Sequence, residues 1–298
     1  MSVDHGRVPR FGVNLSPAVT DLQETLTVAR AADHEGLALV AVQDHPYQPA
    51  HLEAWTLLTT LGLTTERVML TGGVLDLQLR PAGVLAKSIA SLSVLTGGRI
   101  VAGVGGGAFS DGIAAMSGRR RTPSEMVDYM AAALPQLRRA LDGGPVPTEE
   151  TGAKGSTWNA GPRPASRIEL WLGANRPRML DLVGRHADAW FAPLNINVPP
   201  NVIPPRQDAI DRSALRAGRH PADIARVYNV LGTIGRTRGG PGLVGSVADW
   251  VDVLTGWVIE LGLDSFILWP TTEPVRQTTT FAAEVAPAVL AAVAEARR

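Results

Sequence analysis

The sequence contains no cysteine, which excludes several kinds of site at once. Without a thiol the chain can form no disulfide, no thiolate metal site and no cysteine nucleophile. It also lacks an excess of either charge, because 28 Lys and Arg residues balance 28 Asp and Glu residues. That balance argues against a protein that binds nucleic acid or another polyanion through bulk charge.

Neither a signal peptide nor a membrane-spanning segment is predicted. The N-terminal stretch MSVDHGRVPR has no apolar core and is no signal peptide. No uninterrupted apolar run reaches the ~20 residues that a membrane span requires. We therefore expect a cytoplasmic protein with a small-molecule substrate and neither a membrane nor a nucleic-acid partner. The hydrophobic content of 45% over 298 residues is enough for a large core.

Short apolar segments alternate with helical segments along the whole chain. Strands are predicted over Arg10–Leu15, Leu39–Val42, Arg67–Leu75, Arg99–Val104, Ile168–Gly173, Ala189–Pro193, Val227–Ile234 and Ser265–Trp269. A helix or a helix-bearing connection follows each strand, which implies a parallel sheet. Eight such units in roughly 250–300 residues predict an α/β fold, a (β/α)₈ TIM barrel with long insertion loops. We expect one domain over residues 1–298.

An open doubly wound sheet is the alternative fold. It is disfavoured because the glycine turn after the fourth strand is not followed promptly by a helix start and by an acid ~20 residues later. Between Asp142 and Arg167 the composition changes to Gly, Pro, Thr and Ser, with too few apolar residues for a second domain. Loops of this length tend to be functional or disordered, so we predict a lid-like surface insertion over residues 142–167.

In a barrel the carboxyl ends of the strands meet at one mouth, where catalytic groups lie. The second strand ends on Asp44 and His45, and Pro46 prevents a regular continuation. A capped turn with a surface histidine is the alternative interpretation. No second histidine or carboxylate stands at metal-ligand spacing, so we predict no metal site. No lysine lies at a strand end, which disfavours Schiff-base chemistry.

Two glycine-containing segments at the mouth could bind a phosphate. The run from Gly105 to Gly107 offers backbone N–H groups that no side chain covers. The segment from Gly173 to Arg176 leads into a helix, whose N-terminus attracts anions. Either segment alone is a weak signal, because a glycine run is more often a plain turn. Together they favour a flat organic cofactor that carries a phosphate.

Several segments of the chain match a known superfamily in the same order. They are ARAADHEGLALVAVQDH, RVMLTGGVLDLQLRPAGVLAKSIASLSVLTGGRIVAGVGGG, GPRPASRIELWLGANRPRMLDLVGRHADAWF and GSVADWVDVLTGWVIELGLDSFILWP. Over nearly its whole length the chain resembles the luciferase-like monooxygenase superfamily, the flavin- and deazaflavin-dependent barrel oxidoreductases. Members that use FMN often carry Glu-His at the end of strand two, whereas members that use the deazaflavin coenzyme F-420 often carry Asp-His, as Asp44 and His45 do here.

The resemblance implies an F-420-dependent oxidoreductase that transfers a hydride between the cofactor and a small organic substrate. An FMN-dependent monooxygenase and a cofactor-free barrel that acts as a binding subunit are the alternatives. His45 is the leading catalytic candidate beside the ring, with Asp44, since an unperturbed histidine pKa of ~6.5 suits proton transfer near neutral pH. The resemblance also implies a non-proline cis peptide between Gly73 and Val74.

The family's backbone phosphate contacts match Gly106, Gly107, Ala174 and Asn175. With the strand-end residues, the predicted cofactor-binding set is Asp44, His45, Gly72, Gly73, Val74, Gly105, Gly106, Gly107, Ala108, Gly173, Ala174, Asn175 and Arg176. Candidates for the substrate pocket are Asn14, Tyr47, Phe109, Trp158 and Trp269, although ordinary packing is the commoner explanation for each.

The chain departs from the family at two places. Deazaflavin sugar-phosphate dehydrogenases carry a glutamate just after the strand-four glycines, where this chain has Ala108 and Phe109, so their substrate is not carried over. The reactive cysteine of bacterial luciferase is absent as well. The family commonly dimerises through helices two and three, which are apolar here on more than one face (AWTLLTTLGL and VLAKSIASLSVL), and we expect a homodimer.

Overall fold

The computed structural model describes residues 4–147, 157–159, 161–235 and 239–298. The elements of the first half are β1 (Arg10–Leu15), α1 (Leu22–His34), β2 (Leu39–Val42), α2 (Ala54–Thr64), β3 (Met69–Gly72), β4 (Leu75–Asp76), α3 (Ala82–Leu95), β5 (Ile100–Gly105), α4 (Ser110–Ala115) and α5 (Pro123–Leu141). The remaining elements are β6 (Val146–Pro147), β7 (Thr157–Trp158), β8 (Leu170–Gly173), α6 (Pro177–His186), β9 (Ala189–Leu194), α7 (Ile203–Arg216), β10 (Ala225–Ile234), β11 (Leu243–Gly245), α8 (Val247–Leu261), β12 (Ser265–Pro270), α9 (Pro274–Thr280) and α10 (Ala286–Ala296).

Eight parallel strands close into a barrel, which confirms the predicted (β/α)₈ fold. The order around the barrel is β1, β2, β3, β5, β8, β9, β10 and β12, and β12 pairs again with β1. Val13 of β1 stands in register with Val40 on one side and with Leu268 on the other. All strand ends that carry predicted site residues therefore lie at one mouth.

Local sequence signals fix several helix ends. Thr122 and Glu125 form a capping box at the start of α5, and Ser246 and Asp249 form one at the start of α8. Gly262, in the left-handed conformation, follows the end of α8. Because these signals are local, they can be recognised in the sequence without knowledge of the fold.

The prediction of one continuous third strand over Arg67–Leu75 was wrong. The strand stops at Gly72, and β4 begins at Leu75 and pairs with β5. A cis peptide joins Gly73 to Val74, as the resemblance implied. The chain folds back so tightly there that a Cβ atom at Gly72 would overlap the Leu75 side chain. Asp76 consequently becomes a strand-end residue.

The barrel interior is filled by side chains below the mouth. The Trp171 indole meets the Phe191 ring edge to face at 5.5 Å, and the Arg10 guanidinium lies 5.2 Å from the Trp171 ring centroid. Leu39, Ala41, Val101, Val227 and Ile267 complete this inner cluster. A larger apolar layer packs between the strands and the surrounding helices. The barrel below the mouth is therefore a packed core and not a pore.

The sequence predicts no segment that is long enough to span a membrane, but the C-terminal helical stretch reaches that length. A π-helical segment (Phe281–Val285) joins α9 to α10, and by length and composition alone the stretch Pro274–Ala296 could cross a membrane. A core helix passes the same test, and 33% of its apolar window is buried here. Phe281, Val285 and Val289 are fully buried against the barrel.

Part of the predicted insertion lies outside the described residues, namely 148–156 and 160. In the described part, β6 pairs antiparallel with β7, and the backbone N–H of Ala165 donates to Ser93 Oγ at 3.1 Å. The lid-like role of residues 142–167 and the single domain over residues 1–298 stay predictions.

The close packing of β5 against β3 gives a stability prediction. A Cβ atom at Gly103 would overlap the Gly72 carbonyl oxygen and lie 2.5 Å from Thr71 Oγ1. Gly103→Ala should therefore lower the free energy of unfolding by about 2–3 kcal/mol, measured by urea denaturation.

Gly256→Ala is the matched control, because the atom nearest to a Cβ at Gly256 within α8 is Glu260 Oε1 at 4.0 Å. This substitution should raise stability by about 0.5–1 kcal/mol. Equal stabilities of the two variants would contradict the packing described for β5.

Candidate active site

A cavity of about 740 Å³ opens at the carboxyl ends of the barrel strands. Every predicted cofactor-binding residue except Gly72 lines it: Asp44, His45, Gly73, Val74, Gly105, Gly106, Gly107, Ala108, Gly173, Ala174, Asn175 and Arg176. Gly72 is buried at the end of β3, one residue before the wall. The sequence analysis missed other lining residues, among them Asp76, Met126, Val127, Met179, Phe191 and Asn229.

One wall of the cavity is bare backbone. A Cβ atom at Gly106 would overlap Met126 Sδ, and Gly107 has a φ of 73°, a conformation that favours glycine. Within the described chain, the backbone N–H groups of Gly106 and Gly107 have no hydrogen-bond partner. The free N–H groups of this wall can therefore donate hydrogen bonds directly to a ligand in the cavity.

The N-terminus of α6 forms the adjoining wall. Arg176 is the N-cap residue of this ten-residue helix, and its side chain makes no capping hydrogen bond. The loop before it is anchored, since Trp190 Nε1 donates to the Ala174 carbonyl at 2.8 Å and Arg206 Nε donates to Asn175 Oδ1 at 3.0 Å. Arg176 forms no ion pair with any described residue. The positive end of the helix and a free guanidinium thus border the same cavity.

Asp44 belongs to a buried ion-pair network. Arg80 binds both of its carboxylate oxygens, with Nη2 at 3.0 Å from Oδ1, and the same guanidinium also pairs with Glu53. The backbone N–H of Asp76 donates to Asp44 Oδ2 at 2.8 Å. Because the Asp44 side chain is fully buried and both its oxygens are already bound, it positions its neighbours instead of offering a free acid or base.

His45 follows Asp44 and is held by Tyr47. The Tyr47 hydroxyl lies 2.7 Å from His45 Nδ1. Burial, together with the Asp76 and Asp44 carboxylates, raises the pKa of Tyr47 to about 12, so the phenol stays protonated and can donate to Nδ1. In that arrangement the proton of the neutral imidazole lies on Nε2.

The surroundings of His45 favour the neutral form of its ring. Burial lowers the pKa of His45 below 6.5; nearby His51 lowers it further, whereas Asp44 raises it. The ring is therefore neutral near pH 7. The Phe109 ring meets it edge to face, with the centroids 5.6 Å apart.

Asp76 is the missed residue with the most unusual surroundings. It is 3% exposed; Oδ1 accepts a hydrogen bond from the backbone N–H of Gln78 at 2.8 Å, and Oδ2 has no partner in the described chain. Burial raises the pKa of Asp76, the Gln78 hydrogen bond opposes that shift, and Asp44 adds to it. If the third strand is taken to end at the Gly72-Gly73 pair, the sequence predicts Asp76 as a residue at the end of the next strand.

The predicted substrate-pocket residues fall into three groups. Tyr47 lines the main cavity, and Phe109 packs against the rings of Tyr47 and His45. Asn14 and Trp269 line a second, neighbouring cavity. Trp158 joins neither cavity, because β7 places its indole against Gly83 at the start of α3 and leaves the side chain 42% exposed.

The chain is similar in sequence to a known family and to individual proteins. The family model of luciferase-like monooxygenases matches residues 7–238. The chain is 27% identical over 218 residues to a 5,10-methylenetetrahydromethanopterin reductase of Methanolobus tindarius, covering 72% of this chain and 62% of that protein. It is also 27% identical over 212 residues to a phthiodiolone/phenolphthiodiolone dimycocerosates ketoreductase of Mycobacterium sp. (strain JLS), covering 65% of this chain and 51% of that protein. The match thus spans roughly half to three-fifths of these relatives.

Among solved structures, the fold is similar to an F-420-dependent secondary alcohol dehydrogenase in complex with an F-420-acetone adduct. The TM-score is 0.80 at 15% sequence identity, and the match covers 95% of this chain and 99% of that one. At this identity the likeness establishes the shared barrel.

The network around Asp44 gives a testable prediction. Arg80→Met leaves the Asp44 carboxylate buried without its cation, which should lower the free energy of unfolding by about 3–5 kcal/mol in urea denaturation. Arg120→Met is the control, because its ion pair with Asp111 is largely exposed and should contribute under ~1 kcal/mol. If both variants lost a similar amount of unfolding free energy, the ion-pair network around Asp44 would not stabilise the mouth.

Proposed function

Because the chain belongs to the luciferase-like monooxygenase family and is therefore an oxidoreductase, we propose that its cofactor is coenzyme F-420 and that it transfers a hydride to or from a small organic substrate. The observation that carries this proposal is the cavity in which a glycine wall and a helix N-terminus meet the Asp44-His45 pair. The alcohol dehydrogenase with a similar fold is F-420-dependent, which supports the deazaflavin over FMN.

The residues present fit a flat, phosphate-bearing cofactor. The free N–H groups of Gly106 and Gly107 and the N-terminus of α6 suit an anionic phosphate. Val74 and Phe191 supply apolar surface for a ring system, and about 740 Å³ lies in the usual range for ligand pockets. When bound, the deazaflavin supplies a ring carbon that carries the hydride.

In this proposal His45 acts as a hydrogen-bond donor to the substrate. As a neutral imidazole with its proton on Nε2, it donates a hydrogen bond to a substrate oxygen and stabilises negative charge that develops there. Tyr47 fixes the tautomer through Nδ1, and the Asp44–Arg80 pair fixes the turn on which His45 stands. We assign Asp44 this positioning role in place of a direct proton transfer.

We also propose that the protein forms a homodimer through α2 and α3. Four large apolar side chains of these helices are at least half exposed, Leu63 at 72%, Val84 at 62%, Val94 at 50% and Leu95 at 65%. Exposed apolar side chains on these two helices support a contact with a second copy of the chain. Sedimentation velocity checks this, and a monomer at all concentrations would contradict it.

Cofactor choice is tested by equilibrium fluorescence titration with F-420 and with FMN. We expect F-420 to bind in the micromolar range and FMN at least ~10-fold more weakly. Gly106→Ala should weaken F-420 binding at least ~10-fold, because the added Cβ atom displaces Met126 or the backbone donors. His45→Ala should retain binding within a few-fold, with His34→Ala on the exposed surface of α1 as the control.

Preference for FMN would instead favour the monooxygenase alternative. Failure to bind either cofactor would favour the cofactor-free barrel. Either result would reject the F-420 proposal.

The role of Tyr47 gives a pH-dependent prediction. Because a donor to Nδ1 stabilises the neutral imidazole, its loss in Tyr47→Phe should raise the pKa of His45. The acid limb of the kcat profile should then move to higher pH, and kcat near neutrality should fall about tenfold with KM little changed. In the wild type, activity should be flat above pH 6.5 and fall only on further acidification.

Gly112→Ala should displace the Tyr47 ring from His45, because a Cβ atom at Gly112 would lie 2.6 Å from that ring. The acid limb of the kcat profile should again move to higher pH. An unchanged profile in both variants would show that Tyr47 does not control His45.

A further inference from the structure

The glycine wall of the cofactor cavity is held from behind by the segment that follows β4. The backbone N–H of Leu77 donates to the Gly105 carbonyl at 3.0 Å, and Gln78 Nε2 donates to the Gly106 carbonyl. Among the described residues, Gly105 and Gly106 line the cavity, whereas Leu77 and Gln78 lie outside its lining. Two successive carbonyl oxygens are therefore turned away from the cavity.

The direction of these carbonyls fixes the direction of the next two N–H groups. The peptide bonds that join Gly105, Gly106 and Gly107 are trans, and in a planar trans peptide the N–H points opposite to the carbonyl. The N–H groups of Gly106 and Gly107 therefore point away from residues 77 and 78 and toward the cavity. Successive backbone N–H groups directed to one side form an anion-binding concavity.

Arg121 determines which end of the Gln78 amide faces the wall. Its Nη1 donates to Gln78 Oε1 at 3.1 Å. A guanidinium can only donate and the Gly106 carbonyl can only accept, so the amide fits between them in one orientation. If the amide were rotated by 180°, its NH₂ group would face the guanidinium and its oxygen would face the carbonyl. Arg121 thus keeps the donor end of Gln78 on Gly106.

Contacts outside the cavity hold Arg121 and Gln78 in turn. The Arg121 guanidinium carbon lies 4.0 Å from the centroid of the Tyr129 ring, within cation–π distance. The Tyr129 hydroxyl donates to the Leu77 carbonyl at 3.0 Å, and the backbone N–H of Gln78 donates to Asp76 Oδ1 at 2.8 Å. A continuous set of contacts therefore connects α5 to the glycine wall.

We propose that Gln78 and Arg121 are positioning residues for phosphate recognition, because they hold the peptide between Gly106 and Gly107 with its N–H directed at the phosphate of the bound cofactor. This rests on the proposed function in one respect, namely that the glycine wall contacts the cofactor phosphate. It does not require F-420 in particular, since FMN carries a phosphate as well. Both side chains act through the backbone, as they lie outside the cavity lining in the described chain.

Two matched pairs of cofactors test the proposal by fluorescence titration of the 298-residue chain. One pair is F-420 and the same deazaflavin without its phosphate, and the other is FMN and riboflavin. Gln78→Met removes the donor at a similar size and adds no charge. It should weaken binding of the phosphate-bearing member about tenfold and leave binding of the phosphate-free member within about twofold. A general distortion of the cavity would weaken both members alike.

Arg121→Met should cause the same phosphate-specific loss, because the Gln78 amide is then free to rotate away from Gly106. This substitution also removes a positive charge, so Arg119→Met is the control. Arg119 is exposed in the same loop, and its loss should change binding of either member by no more than about twofold.

The Gly107 amide gives a second readout that needs no cofactor. In a ¹H–¹⁵N NMR titration with inorganic phosphate, its signal should shift in the wild type. The shift should be lost in Gln78→Met at the same phosphate concentration.

Equal losses for both members of a pair in Gln78→Met would overturn the proposal, as would unchanged binding of the phosphate-bearing member. Equal losses in Arg119→Met and Arg121→Met would overturn the role of Arg121. If F-420 fails to bind while FMN binds and shows the phosphate-specific loss, the F-420 assignment falls and the positioning role stands. If neither cofactor binds and phosphate does not shift the Gly107 signal, both claims fall.

Discussion

The Arg80 guanidinium is the interaction on which the arrangement of the mouth depends. It binds Asp44 at the end of β2 and Glu53 at the N-cap of α2, and it lies in the segment that leads from β4 to α3. Asp44 in turn accepts the backbone N–H of Asp76. One buried cation therefore joins three segments, and without it two carboxylates would be left unpaired, one of them fully buried.

This arrangement separates structural from chemical roles in adjacent residues. Asp44 has no free oxygen, whereas His45 retains Nε2 after Tyr47 has taken Nδ1. The neutral imidazole lines the larger of the two cavities, and the His51 ring, with its centroid 6.4 Å away, lines the second.

The sequence predicts the barrel well because its signals are local. Alternating apolar strands and helices imply a parallel sheet, and glycines mark the walls that later form the cofactor cavity. The break between β3 and β4 could not be predicted, because it depends on the close approach of Gly72 to Leu75. Because the break was not predicted, Asp76 was not recognised as a site residue. Arg80 was not recognised as the partner of Asp44 either, since the two residues are 36 positions apart in sequence.

Side-chain neighbours across elements were the least predictable feature. Asn14 and Trp269 do line a cavity, although it is the second one, and Trp158 lies on the helical layer. Such placements follow from the register of distant strands and from the path of the insertion, which residue types alone do not specify. The structure also places His51 on the wall of the second cavity, before α2 begins at Ala54.

The most direct test of the account is a crystal structure of the protein with coenzyme F-420. We expect the phosphate to contact the backbone of Gly106, Gly107 and the N-terminus of α6, with the ring against Gly73 and Val74. His45 should keep its hydrogen bond to Tyr47. A deazaflavin bound in the second cavity, or with its phosphate away from the glycine wall, would contradict the account.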